Sequence, residues 1–265
     1  MRRDSIALEE ERLRGIEVVE DYPSLHERHR IFPALFEDRQ HKRILDVAAG
    51  AGCAAQRIQD NYPAEMVCND ASPTAIRILA NMGLNTVSFD LDDEKKPFPY
   101  ADGSFDAVVA LATIEHMINV DHFVEEIHRI LADNGYFYVS APNYNGLNYV
   151  IPFLLKGRTF HDPMDPTGTS RYEFYGHVRY FTYRTLLEYV SSFGFVPEAV
   201  YLAAPEGSTR YLDLYKRSKT RALAYRCSMK TFFALFSPRW APEPVLCFKK
   251  GAGNGGDRKP RKVVL

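Results

Sequence analysis

Ile44-Leu45-Asp46-Val47-Ala48-Ala49-Gly50-Ala51-Gly52 is an apolar strand that gains a carboxylate just before it breaks into small residues and two glycines. A glycine-rich turn between a strand and a helix lets backbone approach a nucleotide-like ligand, because no Cβ stands in the way. Asp46 decides what that ligand carries. A pyrophosphate calls for N–H groups and the positive end of a helix dipole, whereas an acid aimed into the turn favours a cation.

Outward from this stretch, short apolar strands alternate with helical segments, the pattern of an α/β sheet with parallel strands. Strands are predicted over Arg43–Val47, Met66–Asn69, Thr86–Asp90, Phe105–Ala112, Tyr136–Ala141, Phe195–Leu202 and Pro244–Lys249. Helices are predicted over Cys53–Asn61, from the Ser72 cap with Pro73 at its first position to the residue before Gly83, over Asp121–Leu131 and over Tyr183–Phe193. Residues 1–42 read as an N-terminal helical cap with helices at Glu9–Arg14 and Pro23–Phe36, residues 43–250 as the main domain, and residues 251–265 as a disordered tail. Insertions at 143–181 and 205–242 interrupt the alternation.

Asp70 closes the second predicted strand, where a carboxylate accepts from ribose hydroxyls, and Asp90 closes the third, where an acid can accept from an adenine amine. Three acids thus end three adjacent strands, at the edge where open α/β sheets bind ligands. An adenosyl compound with a sulfonium, an ammonium and no phosphate, S-adenosylmethionine, meets these demands. Gly50-Ala51-Gly52-Cys53-Ala54-Ala55 also satisfies the loose dinucleotide fingerprint, but Asp46 would repel a pyrophosphate and no second nucleotide half-domain of similar length follows.

Further motifs follow in order: Phe89-Asp90, Pro97-Phe98-Pro99 with Asp102-Gly103-Ser104-Phe105-Asp106, Ile114-Glu115-His116-Met117, Glu126 through Arg129-Ile130-Leu131 to Gly135, Ala141-Pro142-Asn143, and His177 through Thr182. With the glycine turn and Asp70 they make the chain, over about Ile44 to Phe195, resemble the class I S-adenosylmethionine-dependent methyltransferases, in particular the small-molecule enzymes similar to quinone and sugar methyltransferases. The resemblance implies a Rossmann-like, seven-stranded, mostly parallel sheet with helices on both faces and its last strand antiparallel beside the sixth. It also implies that Gly50 and Gly52 with Ala48 pass around the methionine part and that Asp46 holds the ammonium. Asp70 with Ala71 would bind the ribose, Asp90 with the Leu91 backbone would read the adenine, and Ala110 or Leu111 would line the methionine moiety. Ala48 stands where the family usually has its first glycine, and a methyl group is tolerable there if φ stays negative.

Methyl transfer from a sulfonium is an in-line displacement in which positioning does most of the work. A hydroxyl acceptor needs a base within reach of its proton, and histidine suits neutral pH. His116, after the fourth strand, and His177, at the end of the aromatic insertion, are the catalytic candidates. Each has an equally plain structural reading, His116 packing its loop and His177 ordering the insertion. Tyr144, Tyr149, Phe153, Phe160, Tyr172, Phe174 and Tyr175 make that insertion a cover for the acceptor, and Arg171 and Arg179 are its candidate anion contacts. His161-Asp162 with Asp165 reads as a surface loop, and no metal site is expected.

The 265 residues, 46% hydrophobic and 25% charged, fit one globular domain with embellishments. A formal net charge of −1 argues against a surface built for nucleic acid. Residues 1–25 lack the apolar run of a secretory signal, so a cytoplasmic location is expected. Cys53, Cys68, Cys227 and Cys247 lie far apart and read as core thiols. Tyr215–Phe236 holds six Lys or Arg and no acid, which suits packing on the domain, homodimer formation, or contact with a membrane surface or lipid-linked substrate. The leading reading is methyl transfer to oxygen of a small-molecule acceptor such as a sugar, polyketide or quinone-like metabolite. The alternatives are an RNA or protein methyltransferase and a non-catalytic cofactor-binding regulator or scaffold.

Overall fold

The computed structural model describes residues 5–23, 25–157, 176–251 and 259–265. Strand β1 (Arg43–Val47) sits between β2 (Glu65–Asn69) and β4 (Phe105–Leu111), both parallel to it, with Asp46 opposite Cys68 on one side and Val109 on the other. Strand β3 (Asn85–Val87) extends the β2 side and β5 (Leu131–Ser140) the β4 side. Strand β7 (Val245–Lys250) is antiparallel to both β5 and β6 (Phe195–Leu202). With β8 (Arg261–Val264) at the edge, the order is β3-β2-β1-β4-β5-β7-β6-β8. Chain progression therefore reverses between β1 and β4, and the ends of those two strands bound the crevice where such sheets bind ligands.

Burial on both faces explains the continuous apolar strands. Side chains alternate along a strand, so Leu45, Val47, Val108 and Ala110 pack on one side against Phe123, Val124 and Ile127 of helix α4 (Val120–Ile130) and Leu186 and Val190 of helix α6 (Tyr183–Ser191). Ile44, Cys68, Ala107 and Val109 face the other layer, with Ala54, Ala55 and Ile58 of α2 (Cys53–Asn61) and Leu79 of α3 (Pro73–Asn81). Asp46 shares the parity of Ile44, which turns its carboxylate toward the α2 layer.

Several expectations are corrected. The end of the chain is ordered rather than disordered: β8 adds an eighth strand parallel to β6, and Val263 and Leu265 pack on the core. The exposed edge of β6 offers unpaired backbone groups that an apolar tail can satisfy. The third strand is shorter than expected and stops at Val87, leaving Asp90 in the loop beyond it. Pro23–Phe36 does not form one helix: among its described residues the chain makes turns and a short 3-10 helix at Ala34–Phe36. Pro33 supplies no N–H there and disfavours helix at Phe32. Cys53, Cys68 and Cys247 are buried, whereas Cys227 is exposed.

The N-terminal helix α1 (Ser5–Arg12) is tied to the sheet's upper rim. Glu10 accepts from the Thr74 amide at 3.0 Å and from the Thr74 and Ser72 hydroxyls at the start of α3. Leu13, Ile16 and Val19 pack on Ala51 and Cys53 beside the glycine turn. The first insertion contributes helix α5 (Leu147–Lys156), and the second contributes α7 (Thr209–Arg217) and α8 (Lys219–Leu235). Phe233 of α8 is buried in the main core, and Lys230 and Arg226 face Glu206 at 2.7 and 3.8 Å. The basic stretch is thus in part a packing element. No helix among the described residues is long and apolar enough to cross a membrane.

Candidate functional site

The glycine turn is held from both sides. The Ala49 amide donates to the Asn69 carbonyl at 2.9 Å, and the Gly50 amide donates to an Asp70 oxygen at 2.8 Å. The other Asp70 oxygen accepts from the Ser72 amide at 2.8 Å. Asp70 therefore binds the turn to the start of α3 while remaining at the crevice. Gly50 and Gly52 both have positive φ, 57° and 81°. A Cβ on Gly52 would lie 2.3 Å from Met82 Cε, so that glycine serves close packing, whereas a Cβ on Gly50 would meet nothing within 4 Å. The space beside Gly50 is open and suits a ligand lying on the backbone.

Ala48 departs from expectation. Its φ is +52°, not negative, so its methyl group occupies the left-handed region that glycine favours, at a cost of about 1 kcal/mol or more. The turn keeps the conformation of a glycine at this position without the residue that relieves it.

Asp46 and Asp70 are 3% and 5% exposed. Burial, and then the neighbouring Asp70 charge, push the Asp46 carboxyl up to about 8. Burial also raises Asp70, against the backbone amides that it accepts from. Two acids in a dry crevice are stabilised by a cation, and S-adenosylmethionine offers a sulfonium and an ammonium. The residues present therefore fit that cofactor: open backbone at Gly50, a pair of buried carboxylates, and no phosphate-type demand. Ala71 adjoins the pair half-buried, and the buried Ala110 and Leu111 end β4 across the crevice. Asp90 is exposed and accepts from the Asp92 amide at 2.9 Å, while Leu91 is buried. Asn69, which sequence reading passed over, donates to the Val87 and Phe89 carbonyls at 3.3 and 3.1 Å and so sets the path of the loop carrying Asp90.

Across the crevice, the loop after β4 leans on the end of β1, the Thr113 hydroxyl lying 3.5 Å from the Val47 carbonyl. His116 and His177, the two histidines expected from sequence, come together with ring centroids 4.9 Å apart. His116 Nδ1 is 2.6 Å from the Gly176 carbonyl, and His177 Nδ1 is 2.9 Å from the Tyr144 hydroxyl. Burial is the chief cause that lowers both, His116 to about 4 and His177 to about 3, so both are neutral at physiological pH. The Glu115 carbonyl accepts from the Val178 and Arg179 amides at 3.0 Å each, which joins the two segments.

Glu115 is the residue that the sequence understated. It is 1% exposed, and neither carboxylate oxygen has a hydrogen-bond partner among the described residues. Burial pushes it up to about 8, with the Glu243 charge adding to the shift and Arg28 and Arg12 opposing it. The only signal in the sequence was an acid in an otherwise apolar run before His116. Asn143 is a second such residue: its side chain donates to the Arg239 and Ala241 carbonyls at 2.7 and 2.6 Å and accepts from the Tyr183 amide at 2.8 Å, which fixes Tyr144 beside His177.

Arg179 is not positioned as an anion contact. Its guanidinium donates to the Met117 and Ile118 carbonyls at 3.3 and 2.6 Å and buttresses the His116 loop. Glu126 and Arg129 likewise serve structure, with Arg129 reaching the Tyr100 carbonyl and Asp102 at 2.8 Å each. Phe160, His161, Asp162, Asp165, Arg171, Tyr172, Phe174 and Tyr175 lie outside the described residues. A cleft of about 780 Å³ lined by Asp102, Gly103, His128, Arg129 and Lys250 includes none of Asp46, Gly50, Asp70, His116 and His177.

A family model described as a methyltransferase domain matches residues 19–200. The chain is 35% identical over 129 residues to a malonyl-[acyl-carrier protein] O-methyltransferase of Geobacter sulfurreducens, the match covering 47% of this chain and 48% of that protein. It is 32% identical over 103 residues to a demethylmenaquinone methyltransferase of Thermus thermophilus, covering 37% of this chain and 46% of that one. The chain thus spans about half the length of these curated relatives. A crystal structure of a SAM-dependent methyltransferase from Archaeoglobus fulgidus shares the fold with a TM-score of 0.56 at 16% identity, over 93% of this chain and all of that one.

Proposed function

We propose that this chain, which belongs to the methyltransferase domain family and is an S-adenosyl-L-methionine-dependent enzyme, delivers a methyl group to an oxygen of a small-molecule acceptor. The observation that carries this reading is two sets of groups after neighbouring parallel strands: the buried Asp46–Asp70 pair at the open Gly50 backbone beside β1, and the His116–His177 pair beyond β4.

The bound cofactor supplies a methyl group on a sulfonium, which departs as a neutral thioether. Asp46 would hold the cationic end of the cofactor, and Gly50, Gly52 and Ala48 would let it lie against backbone. Asp70, with Ala71 beside it, would present its carboxylate to the ribose. Asp90 and Leu91 would lie against the adenine, and Ala110 and Leu111 would close the methionine side. His116 and His177 are the neutral imidazoles able to accept the acceptor hydroxyl's proton as the new carbon–oxygen bond forms. Tyr144 orients His177, and Tyr149, stacked 5.0 Å from Tyr144, helps to exclude water. The relatives' names, a malonyl-[acyl-carrier protein] O-methyltransferase and a demethylmenaquinone methyltransferase, support a small-molecule or carrier-linked acceptor.

A membrane-surface or lipid-linked acceptor is the second reading. Helix α5 has no buried residue; Leu154 and Leu155 on it are 74% and 77% exposed, and α5 also carries Tyr149 of the site.

The test is to supply the full chain with S-adenosylmethionine carrying a deuterated methyl group, together with a panel of hydroxylated metabolites, quinols, acyl carriers and total RNA. Mass spectrometry showing label on an oxygen of a small or carrier-linked molecule supports the proposal. Label found only on RNA or on protein side chains, or no uptake of S-adenosylhomocysteine by calorimetry, overturns it.

A further inference from the structure

We propose that helix α8 docks the chain on a bilayer surface containing anionic lipid, with its outward face against the acyl boundary and its cations among the phosphates.

A turn of about 100° per residue sorts the 17 residues of α8 into an inner and an outer face. Packing accounts for the inner face. Ala222 and Phe233 are buried, Met229 and Phe232 pack on the main core, and Arg226 and Lys230 reach Glu206 at 3.8 and 2.7 Å. Lys262 of β8 donates to the Ala234 and Phe236 carbonyls at 3.1 Å each and pins the far end. Packing does not account for the outer face. Leu223, Ala224, Cys227, Thr231, Ala234 and Leu235 are exposed there, Leu223 and Leu235 by 48% and 75%. Together they cover about a third of the circumference without a charge. A helix that only packs on its domain turns charged and polar residues to water on this side.

The cations stand at the margins of the outer face, Lys219 and Lys230 along one edge and Arg221 along the other. Lys219 and Arg221 are exposed and form no ion pair among the described residues, Lys219 lying 5.8 Å over the Tyr215 ring. Tyr215 and Phe236, half-exposed, flank the two ends of the helix. An apolar face edged by Lys and Arg, with aromatics at its ends, suits a helix lying in the headgroup plane, where long cationic side chains reach back to phosphate.

Charge selects this occupant. Tyr215–Phe236 contains six Lys or Arg and no acid, so a second copy laid on the same face brings cation against cation. Nucleic acid calls for cations at the centre of the contact, and here the centre is Leu, Ala, Cys and Thr. The turn after α8, Pro238–Trp240, is held by Asn143, whose neighbour Tyr144 meets His177. Docking thus ties the candidate acceptor side to the lipid, and its bearing on the reaction rests on the membrane-surface reading above.

The test mixes the full chain with phosphatidylcholine vesicles, with or without phosphatidylglycerol, and follows co-sedimentation. A second sample carries a polarity-sensitive fluorophore on Cys227, the other three cysteines being buried. We expect binding to the mixed vesicles with a blue shift of the label, and binding at least about tenfold weaker to phosphatidylcholine alone. Each cation near an anionic surface strengthens binding about fivefold, so Lys219→Ala with Arg221→Ala should weaken it about twenty-fivefold. Leu223→Ser with Leu235→Ser should weaken it about tenfold. Heats of S-adenosylhomocysteine binding, unchanged in both double variants, report that they are folded. No binding to the mixed vesicles overturns the docking face and leaves the methyl-transfer reading standing. Binding that both double variants retain in full, or binding with an unshifted label, also overturns it. A label that shifts without lipid as the chain is concentrated assigns the face to a second copy and overturns it, as does RNA binding, lost in the variants, by a chain indifferent to vesicles. Vesicle uptake as expected, with the deuterated methyl group reaching only water-soluble acceptors, supports the docking face and overturns the membrane-surface acceptor.

Discussion

On the β1 side of the crevice, Asp46, Gly50 and Gly52 come from one nine-residue stretch, and backbone amides do most of the positioning. On the β4 side, His116 meets Gly176 across 60 residues of chain, and His177 meets Tyr144 across 33. The first side is a property of strand ends and a turn, and it forms wherever the sheet forms. The second depends on an insertion folding back, and its polar groups are held by one another and by single carbonyls. The comparison teaches that the proposed cofactor side is assembled from local order, while the proposed acceptor side depends on contacts between distant segments.

The largest expected effect separates binding from stability on the β1 side. Asp46→Asn removes the buried charge proposed to meet a cation and should weaken S-adenosylhomocysteine binding about a hundredfold, or about 3 kcal/mol, as read by calorimetry. The same change should stabilise the empty protein. The Asp46 carboxyl sits near 8 when folded and near about 4 when unfolded. Between those values the folded chain holds a proton that the unfolded chain has released, so rising pH favours unfolding, and the cost is complete above about 8. Denaturation of the empty protein from pH 4 to pH 9 should therefore show a decline that Asp46→Asn flattens; an identical slope in both proteins would break the assignment.

Next in size is a contrast between the two glycines. Gly52→Ala must displace Met82 and Leu79 and should cost about 2–3 kcal/mol of stability, measured by urea unfolding. Gly50→Ala has room for its Cβ, so only its positive φ is penalised, by about 1 kcal/mol. The larger change expected at Gly50 is in cofactor affinity. Equal stability losses at the two positions would remove the distinction between packing and ligand roles.

On the β4 side, Tyr144→Phe deletes one hydrogen bond to His177, worth about 1 kcal/mol. The expected result is a fall in kcat of about five- to tenfold, with the KM for S-adenosylmethionine unchanged. An unaltered kcat would reduce the His177 contact to scaffolding. Smaller still is Ala48→Gly, which relieves a positive φ of 52° and should stabilise the chain by up to about 1 kcal/mol. Last is the N-terminal latch. Hydrogen bonds from Ser72 and Thr74 hold Glu10 below the usual carboxylate range, so its contribution is present above the unfolded pKa and is lost as pH falls through the lowered folded value. Limited proteolysis should cut the first residues faster in Glu10→Gln than in the wild type at neutral pH, and equally fast in strong acid.

Legibility in the sequence followed the same divide. The β1 stretch and Asp70 could be read, because period-2 burial and glycine punctuation are local signals; the antiparallel β7 beside β6 was implied only by the family resemblance. Asp90 could be read as an acid near a strand end, but its exposure could not, since it follows from where β3 stops. Ala48 could be read as a departure from glycine, but its positive φ could not: side-chain size is written in the sequence, whereas the dihedral is imposed by the strand and helix on either side. The burial of Glu115 could not be read, because nothing local tells a solvated acid from a stranded one.

The sequence by itself determined the sheet class, the carboxylate-rimmed glycine turn and the identity of the two histidines, for each rests on residue types within a few positions of one another. Only the tertiary structure decided that those histidines meet, that the Glu115 carboxylate is buried beside His116 with no hydrogen bond among the described residues, that Asn143 anchors Tyr144 beside them, and that the last residues join β6 as a strand. Those outcomes depend on which distant segments share a dry interior, where desolvation fixes the cost of every unpaired group, and one-dimensional order does not carry that information.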